Sequence, residues 1–133
     1  MDATIRIDGA ARGNPGPAAF AYVISMEGKP DIEENGCLGT TTNNIAEYTA
    51  LVRALERACI VGAKRLVICS DSELLVKQMK GEYKVKNEGL KPLYQQARTL
   101  AARYEGVAFQ HVFREQNKRA DQLCNDALDS LTT

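Results

Sequence analysis

The chain has 133 residues, 44% of them hydrophobic and 26% charged, and its 17 basic side chains equal its 17 acidic ones. This size and composition are typical of one globular domain over residues 1–133, and no apolar run approaches the ~20 residues that a membrane span requires. The first residues lack the basic flank and apolar core of a secretion signal, so we expect a cytoplasmic, monomeric protein without a membrane partner. The four cysteines form no C-x-x-C pair, so we expect free thiols.

The first third of the chain predicts three strands. Residues 3–8 alternate apolar and polar side chains, and residues 20–26 and 31–40 are the second and third candidates. Between the first two, "GAARGNPGPAA" (9–19) holds three glycines and two prolines and predicts a loop. Connections this short cannot cross over a sheet, so the three strands predict an antiparallel meander.

The remaining two thirds alternate helical and strand patterns. The predicted elements are a helix over 44–61, a strand over 65–70, helices over 72–80 and 89–104, a strand over 107–113 and a closing helix from near Asn117. Strands separated by helices pair in parallel through right-handed crossovers. The sequence therefore predicts an α/β fold with a five-stranded mixed sheet, three strands in the antiparallel meander and two parallel, and helices on both faces.

Four acids fall where such a sheet places ligands, beyond the carboxyl ends of its parallel strands. Asp8 and Asp71 end the first and fourth predicted strands, Glu47 lies in the first turn of the first helix, and Asp121 lies near the start of the last helix. Convergence of these four side chains at one corner of the sheet predicts a shared site.

Each acid also has a local explanation. Asp8 precedes Gly9 as in a turn, and Asp71 and Asp121 suit the amino end of a helix. Glu47 stands three residues after Asn44, which is the spacing of a capping box. Four local explanations meeting at one place are less economical than one site.

Four adjacent carboxylates repel one another unless cations neutralise them. Ligands that are all oxygen suit Mg²⁺ or Mn²⁺, and two such ions about 3.5–4 Å apart can bracket a phosphate. The acids therefore predict metal-assisted hydrolysis of a phosphodiester bond.

The blocks "RIDGAARGNPGPAAFAYVI", "TTTNNIAEYTAL", "ICSDSELLVKQM" and "REQNKRADQLCNDAL" resemble, in order and over nearly the whole chain, the motifs of type 1 ribonuclease H. The resemblance implies the ribonuclease H-like fold. It also implies an endonuclease that cuts the RNA strand of an RNA–DNA hybrid and leaves 5′-phosphate and 3′-hydroxyl ends. Its four metal-binding, catalytic carboxylates would be Asp8, Glu47, Asp71 and Asp121, with two Mg²⁺ ions, or Mn²⁺ as a substitute, beside the substrate.

The same resemblance implies substrate contacts. Asn14, Asn43 and Asn44 are similar to residues that read the minor groove, where 2′-hydroxyls distinguish RNA from DNA. Thr42 and Asn87 are similar to a pocket for a phosphate of the DNA strand, and we place Lys86 beside them. Local alternatives remain: Asn14 suits a turn, and Asn44 suits a helix cap.

The chain departs from the family pattern in its substrate handle. Only "KGEYKVKNEG" replaces the family's basic helix and loop, so we expect the nearby lysines to substitute for it in part and hybrid binding to be weak and salt-sensitive. These lysines are Lys77, Lys80, Lys84, Lys86 and Lys91.

Two further departures concern the catalytic centre. "FREQN" replaces a longer loop that carries an auxiliary histidine in relatives. We expect the chain's single histidine, His111, to be a structural strand residue. Arg114, whose guanidinium can hold a phosphate or help expel product, is then the better candidate for the auxiliary role, and His111 stays the open alternative. Glu73 stands where many relatives have an amide.

Two other functions remain open at this point. One is a non-catalytic module that binds RNA–DNA hybrid or double-stranded RNA, which loss of an acid would indicate; the other is a different nuclease chemistry on the same scaffold. All four acids are present, and the asparagines favour 2′-hydroxyl recognition. A side activity on double-stranded RNA stays open, since both duplexes have A-like minor grooves.

Overall fold

The computed structural model describes residues 1–132. Its strands are β1 (Asp2–Ala11), β2 (Gly16–Ser25), β3 (Ile32–Thr41), β4 (Arg65–Ser70) and β5 (Gly106–His111). Its helices are α1 (Asn43–Ile60), α2 (Glu73–Met79), α3 (Lys91–Ala101) and α4 (Lys118–Asp129), and short 3₁₀ turns occupy Arg114–Gln116 and Ser130–Thr132.

The five strands form one mixed sheet in the order β3-β2-β1-β4-β5. β1 and β3 pair antiparallel with β2, whereas β4 pairs parallel with β1 and with β5. The predicted meander with two added parallel strands is confirmed. The parallel part arises because α1 and the α2–α3 segment return the chain to the same end of the sheet before each new strand.

Helices cover both faces of the sheet, as predicted. On one face, α1, α2 and α3 enclose the larger core, which includes Ile5, Ile24 and Leu55. On the other face, α4 packs Leu123 and Leu128 against the small side chains of β2. Alanines on β2 let α4 approach closely, which brings its first turn near the middle of the sheet.

Side chains also join α4 to the outermost strand, β3. The guanidinium of Arg119 donates to both carboxylate oxygens of Glu33, at 2.6 and 2.8 Å. The amide of Asn35 donates to the carbonyl of Leu123 at 2.7 Å. These contacts fix the rotation of α4 about its axis, and hence which of its side chains point toward β1.

The loop predicted over 9–19 is wrong in extent. β1 continues to Ala11 and β2 begins at Gly16, so only residues 12–15 connect them. Gly9, Ala10 and Ala11 pair with residues of β2 as regular ladder positions. Here the hydrogen bonds of the sheet outweigh the local preference of these residues for a turn. Their small side chains fit where a helix packs closely on the sheet.

Other boundaries differ by a few residues. α3 spans 91–101 instead of 89–104, and α2 begins at Glu73 instead of residue 72. β5 stops at His111, two residues earlier than predicted, because the chain turns there into the 3₁₀ segment. The strand over 65–70 is confirmed as β4.

All four cysteines are free thiols, as predicted; Cys69 and Cys124 are buried, and Cys37 and Cys59 are exposed. Within residues 1–132, no helix combines the length and apolarity that spanning a bilayer would take.

Candidate active site

Asp8 lies where the parallel ladder between β1 and β4 ends. The last pair of that ladder is Ile7 with Ser70, so Asp8 is the first residue beyond it on β1 and Asp71 the first on the other chain segment. The expectation that Asp8 ends its strand is wrong, because β1 runs on beside β2 to Ala11. Asp8 is buried, with 7% of its surface exposed.

Gly9 lets α1 lie directly on the strand beside Asp8. A Cβ at Gly9 would stand 2.3 Å from the carbonyl carbon of Ala46 and 2.4 Å from the amide nitrogen of Glu47. The backbone of α1 therefore occupies the space of a side chain, which brings Glu47 to the Asp8 end of the sheet. The alternative in which Asp8 and Gly9 form only a turn is excluded, since both are strand residues.

Glu47 and Asp71 are not helix caps. The cap of α1 is Thr42, whose hydroxyl accepts from the amide of Ile45 at 3.2 Å, so the expected capping box between Asn44 and Glu47 is wrong. α1 begins at Asn43, which puts Glu47 in the second turn instead of the first.

The cap of α2 is Ser72, whose hydroxyl accepts from the amide of Leu75 at 3.2 Å. Asp71 therefore does not cap α2, and its carboxylate is available to the site. A buried hydrogen bond of 2.8 Å from the Tyr48 hydroxyl to the Gln78 side-chain oxygen holds α1 against α2. It thus helps to fix the position of Glu47 relative to Asp71.

Asp121 enters the site from the other face of the sheet, in the first turn of α4. Its backbone amide donates to the carbonyl of Asn117 at 3.0 Å. Its carboxylate accepts from the Arg114 guanidinium at 3.5 Å. Arg114, predicted as the auxiliary residue, therefore stands at the edge of the acid cluster with 73% of its side chain exposed.

Electrostatic repulsion acts among four acids, which we name the acid cluster: Asp8, Glu47, Asp71 and Asp121. Burial, and then the charges of Asp71 and Asp121, raise the pKa of Asp8 to about 7. Burial, and then the charges of Asp71 and Asp8, raise the pKa of Glu47 to about 8, against a hydrogen bond from the Ser72 side chain. Burial and the charge of Asp121 raise the pKa of Asp71, which Arg114 and His111 oppose.

This donor set fits a hard divalent cation in its chemistry. All the donors are carboxylate oxygens, and a cation would relieve the repulsion that raises these pKa values. The orientations are not preformed: in the part of the chain that the structure describes, no three His, Cys, Asp or Glu side chains are arranged to hold a metal ion. The Asp121 carboxylate interacts both with Asp8, whose pKa it raises, and with Arg114, from which it accepts at 3.5 Å.

The predicted minor-groove asparagines lie together at the amino end of α1. The side-chain oxygen of Asn14 accepts from the backbone amide of Asn43 at 3.0 Å, and that of Asn43 accepts from the amide of Ala11 at 2.7 Å. Each side chain keeps its NH₂ group for an outside acceptor. Asn44 lies beside them and is half-buried.

Lys86 and Asn87 lie in the segment between α2 and α3, and both are exposed. The side-chain oxygen of Asn87 accepts from the amide of Gly89 at 2.8 Å, and its backbone carbonyl accepts from Leu90 and Lys91, so Asn87 turns the chain into α3. Thr42 likewise uses its oxygen in a cap. The Thr42 hydroxyl hydrogen and the Asn87 amide hydrogens are not consumed by these bonds.

His111 lies in β5, as expected, and whether it serves only the strand stays a prediction. It is the last residue of β5, it is exposed, and its ring contacts that of Phe113 edge-on, with the centroids 5.8 Å apart. It also acts electrostatically on Asp71. Glu73 pairs instead with Lys77, at 2.8 Å, on the surface of α2.

Sequence reasoning missed three residues that build the cluster: Gly9, Ser72 and Asn117. A glycine next to a strand carboxylate was a usable signal, because such glycines mark close backbone approach. For Asn117 there was no such signal. Its side chain is fully buried and donates to the carbonyl of Ile7 at 2.8 Å, across 110 positions of sequence.

Comparison with known proteins gives consistent matches. The family model described as "Reverse transcriptase-like" matches residues 6–127. The bifunctional protein Rv2228c of Mycobacterium tuberculosis is 39% identical over 98% of this chain and 36% of its own length. The ribonuclease HI of Halobacterium salinarum is 42% identical over 92% of this chain and 62% of its own length. The chain thus spans between about a third and three fifths of these two relatives.

Among solved structures, LC11-RNase H1 in complex with RNA/DNA hybrid superposes with a TM-score of 0.92 and 41% identity. That match covers 98% of this chain and 99% of the other. Fold, sequence and the order of the matched motifs agree over nearly the full length of both chains. The chain belongs to the type 1 ribonuclease H family.

Proposed function

We propose that this protein hydrolyses the RNA strand of RNA–DNA hybrids, leaving 5′-phosphate and 3′-hydroxyl ends. The observation that carries the proposal is the acid cluster: carboxylates from four different elements meet at the end of the parallel ladder, with raised pKa values for Asp8 and Glu47. Repulsion of this kind is costly for a fold and is typical of sites that hold cations. Membership in the ribonuclease H family and the hybrid-bound LC11 relative support the choice of substrate.

Asp8, Glu47, Asp71 and Asp121 would hold two divalent cations, Mg²⁺ or Mn²⁺, around the scissile phosphate. When bound, such ions supply a water made nucleophilic at neutral pH and charge stabilisation at the departing 3′ oxygen. The fold fixes the positions of the carboxylates that would hold these ions. Asp8 is fixed by β1, Glu47 by the contact of α1 with Gly9, and Asp71 by the end of β4.

Arg114 has a separate role at the edge of the cluster. Its guanidinium is exposed and reaches Asp121, so it can contact a phosphate oxygen while the carboxylate turns toward a cation. A guanidinium stays charged at neutral pH and cannot move a proton. We therefore assign Arg114 to holding the phosphate or to helping the product leave.

The asparagines at the start of α1 and the loop before β2 provide RNA recognition. Asn14 and Asn43 are held by bonds to their side-chain oxygens, which leaves the NH₂ groups to donate to 2′-hydroxyls and base edges. Asn44 lies next to them. Thr42, Lys86 and Asn87 would contact phosphates of the DNA strand. The hydroxyl hydrogen of Thr42 and the amide hydrogens of Asn87 are not used in the bonds that their side-chain oxygens accept.

The test is cleavage of a labelled RNA–DNA hybrid in Mg²⁺ and in Mn²⁺ by the wild type, Asp71→Asn and Glu73→Gln. Glu73 is the matched control, since it is an acid two residues away that pairs with Lys77 on the surface. Asp71→Asn should lose more than about 100-fold in rate, because a ligand costs at least as much as the 10–100-fold typical of its supporting residues. Glu73→Gln should retain activity.

Other outcomes decide against the proposal. If the wild type binds hybrid but cuts neither strand in either metal, the protein is a binding module. Equal losses in Asp71→Asn and Glu73→Gln would show that the acid cluster is not the site. Parallel reactions on double-stranded RNA and on double-stranded DNA test the side activity and the substrate class.

A further inference from the structure

Asn117 contacts the backbone at two points of the acid cluster, beside Asp8 and at Asp121. Its side-chain amide donates to the carbonyl of Ile7, the residue immediately before Asp8. Its own backbone carbonyl accepts from the amide of Asp121, in the first turn of α4. A continuous path of two hydrogen bonds and a single residue thus joins the backbone beside Asp8 to that of Asp121.

The bond to Ile7 lies at the end of the parallel ladder between β1 and β4. Ile7 is in the last pair of the ladder between β1 and β4, and Asp8 and Asp71 follow that pair. α4 packs on this face through small and aliphatic contacts with β2, and Arg119 and Asn35 tie it to β3. The directional bond from Asn117 instead ties the amino end of α4, which carries Asp121, to β1 beside Asp8.

Packing alone does not explain why a polar asparagine is buried at position 117. Its side chain is fully buried, and within residues 1–132 its Oδ1 atom has no hydrogen-bond partner. A buried oxygen without a partner destabilises a fold, and a leucine, which has the same branching and the same number of side-chain heavy atoms, would not carry that oxygen. The Ile7 carbonyl determines which atom of the Asn117 amide faces it. If the amide oxygen and nitrogen were exchanged, two acceptors, the Asn117 side-chain oxygen and the Ile7 carbonyl oxygen, would face each other.

We propose that Asn117 is a positioning residue: it sets the separation of Asp121 from Asp8 so that the two carboxylates can share a divalent cation. This inference rests on the proposed function. Supporting residues of a metal site typically change affinity or activity by 10–100-fold when replaced.

The chain offers a matched control in Asn35. Its amide also donates to a backbone carbonyl and also joins α4 to the sheet, at Leu123 and at 2.7 Å, but on β3 and away from the acids. If Asn117 only tethers α4, removal of either bond should have similar consequences. If Asn117 positions the acids, only its removal should weaken cation binding.

The experiment measures Mn²⁺ binding to the free protein by calorimetry, without substrate, for the wild type, Asn117→Leu and Asn35→Leu, together with thermal unfolding in chelator. We expect Asn117→Leu to bind Mn²⁺ about tenfold more weakly while remaining folded, and Asn35→Leu to bind as the wild type does. In hybrid cleavage, Asn117→Leu should lower kcat at saturating hybrid and leave KM unchanged, because no substrate contact is removed.

Other results overturn the inference, and they separate it from the proposed function. A wild type that binds Mn²⁺ and cuts hybrid, with equal or no losses in both variants, refutes the positioning role alone. A wild type that neither binds Mn²⁺ nor cuts refutes both. If Asn117→Leu does not fold, Asn117→Ser takes its place with the same readouts, and failure of both to fold shows that the residue serves the fold.

Discussion

Two regions of this molecule serve the proposed function, and they are built in opposite ways. In the acid cluster, the carboxylates come from β1, α1, the connection between β4 and α2, and α4, and contacts of Gly9, Ser72 and Asn117 help to set their positions. Between α2 and α3, Lys84 and Lys86 extend into solvent from a segment without regular structure. Chemistry depends on sub-ångström placement, whereas attraction to a polyanion depends mainly on charge.

The largest effect should come from disturbing the rigid region without touching an acid. Gly9→Ala would place a methyl group 2.3 Å from the backbone of Ala46, so α1 must move away by about 1 Å and carry Glu47 with it. We expect roughly a 100-fold loss of kcat and about 1–3 kcal/mol of stability.

Hybrid cleavage and urea unfolding measure the two effects of Gly9→Ala. Gly106→Ala is the control, since a Cβ at the start of β5 meets nothing within 4 Å. If Gly9→Ala behaves like Gly106→Ala, the close approach of α1 does not define the site.

The repulsion within the cluster should appear as a pH dependence of stability without metal. The folded-state pKa values of Asp8, about 7, and Glu47, about 8, lie above those of the unfolded chain. The folded state therefore binds more protons, and this contribution to stability is present below about pH 4 and is lost as pH rises through 7–8.

Asp8→Asn should remove part of that loss. In chelator, the free energy of unfolding of the wild type should fall by at least about 1 kcal/mol more between pH 4 and pH 8 than that of Asp8→Asn. Urea titrations at several pH values measure the difference. Parallel curves for the two proteins would contradict the assigned repulsion, and saturating Mg²⁺ should stabilise only the wild type at pH 8.

The smallest effect should come from the exposed region. Lys84→Gln combined with Lys86→Gln should weaken hybrid binding at low salt and reduce the slope of log K against log salt by about 1 for each lysine that contacts a phosphate. The value of kcat at saturating hybrid should not change. Lys64→Gln, at the opposite end of β4, is the control; an equal change there would mean that net charge alone drives binding.

The topology of the sheet was predictable because hydrophobic periodicity and connection length each limit how strands pair. The proximity of Asp8 and Asp71 followed from the same reasoning, because β1 and β4 are neighbouring parallel strands, although β1 continues beyond Asp8. Local sequence patterns do not show where the long-range hydrogen bonds of a sheet override a local preference for a turn. Residues 9–11 read as a loop, yet they pair with Ala18, Ala19 and Phe20.

Caps and buried polar contacts were harder to predict for a related reason. Thr42 and Ser72 each stand next to another good capping residue, and sequence alone does not choose between neighbours. The partner of the Asn117 side chain lies 110 positions away and is a backbone carbonyl, which carries no side-chain signature. Such contacts depend on the packed geometry of the whole sheet.

The attachment of α4 to β3 has a consequence for how copies of this protein meet. β3 is one of the two edge strands of the sheet, and an edge strand offers unpaired backbone groups to any other extended chain. Glu33 and Glu34 place negative charge along it, the register shifts at Ala18/Ala19 on its neighbour, and Arg119 holds Glu33 toward α4. The contacts that orient α4 therefore also cover part of this edge strand with side chains, which disfavours pairing with another strand.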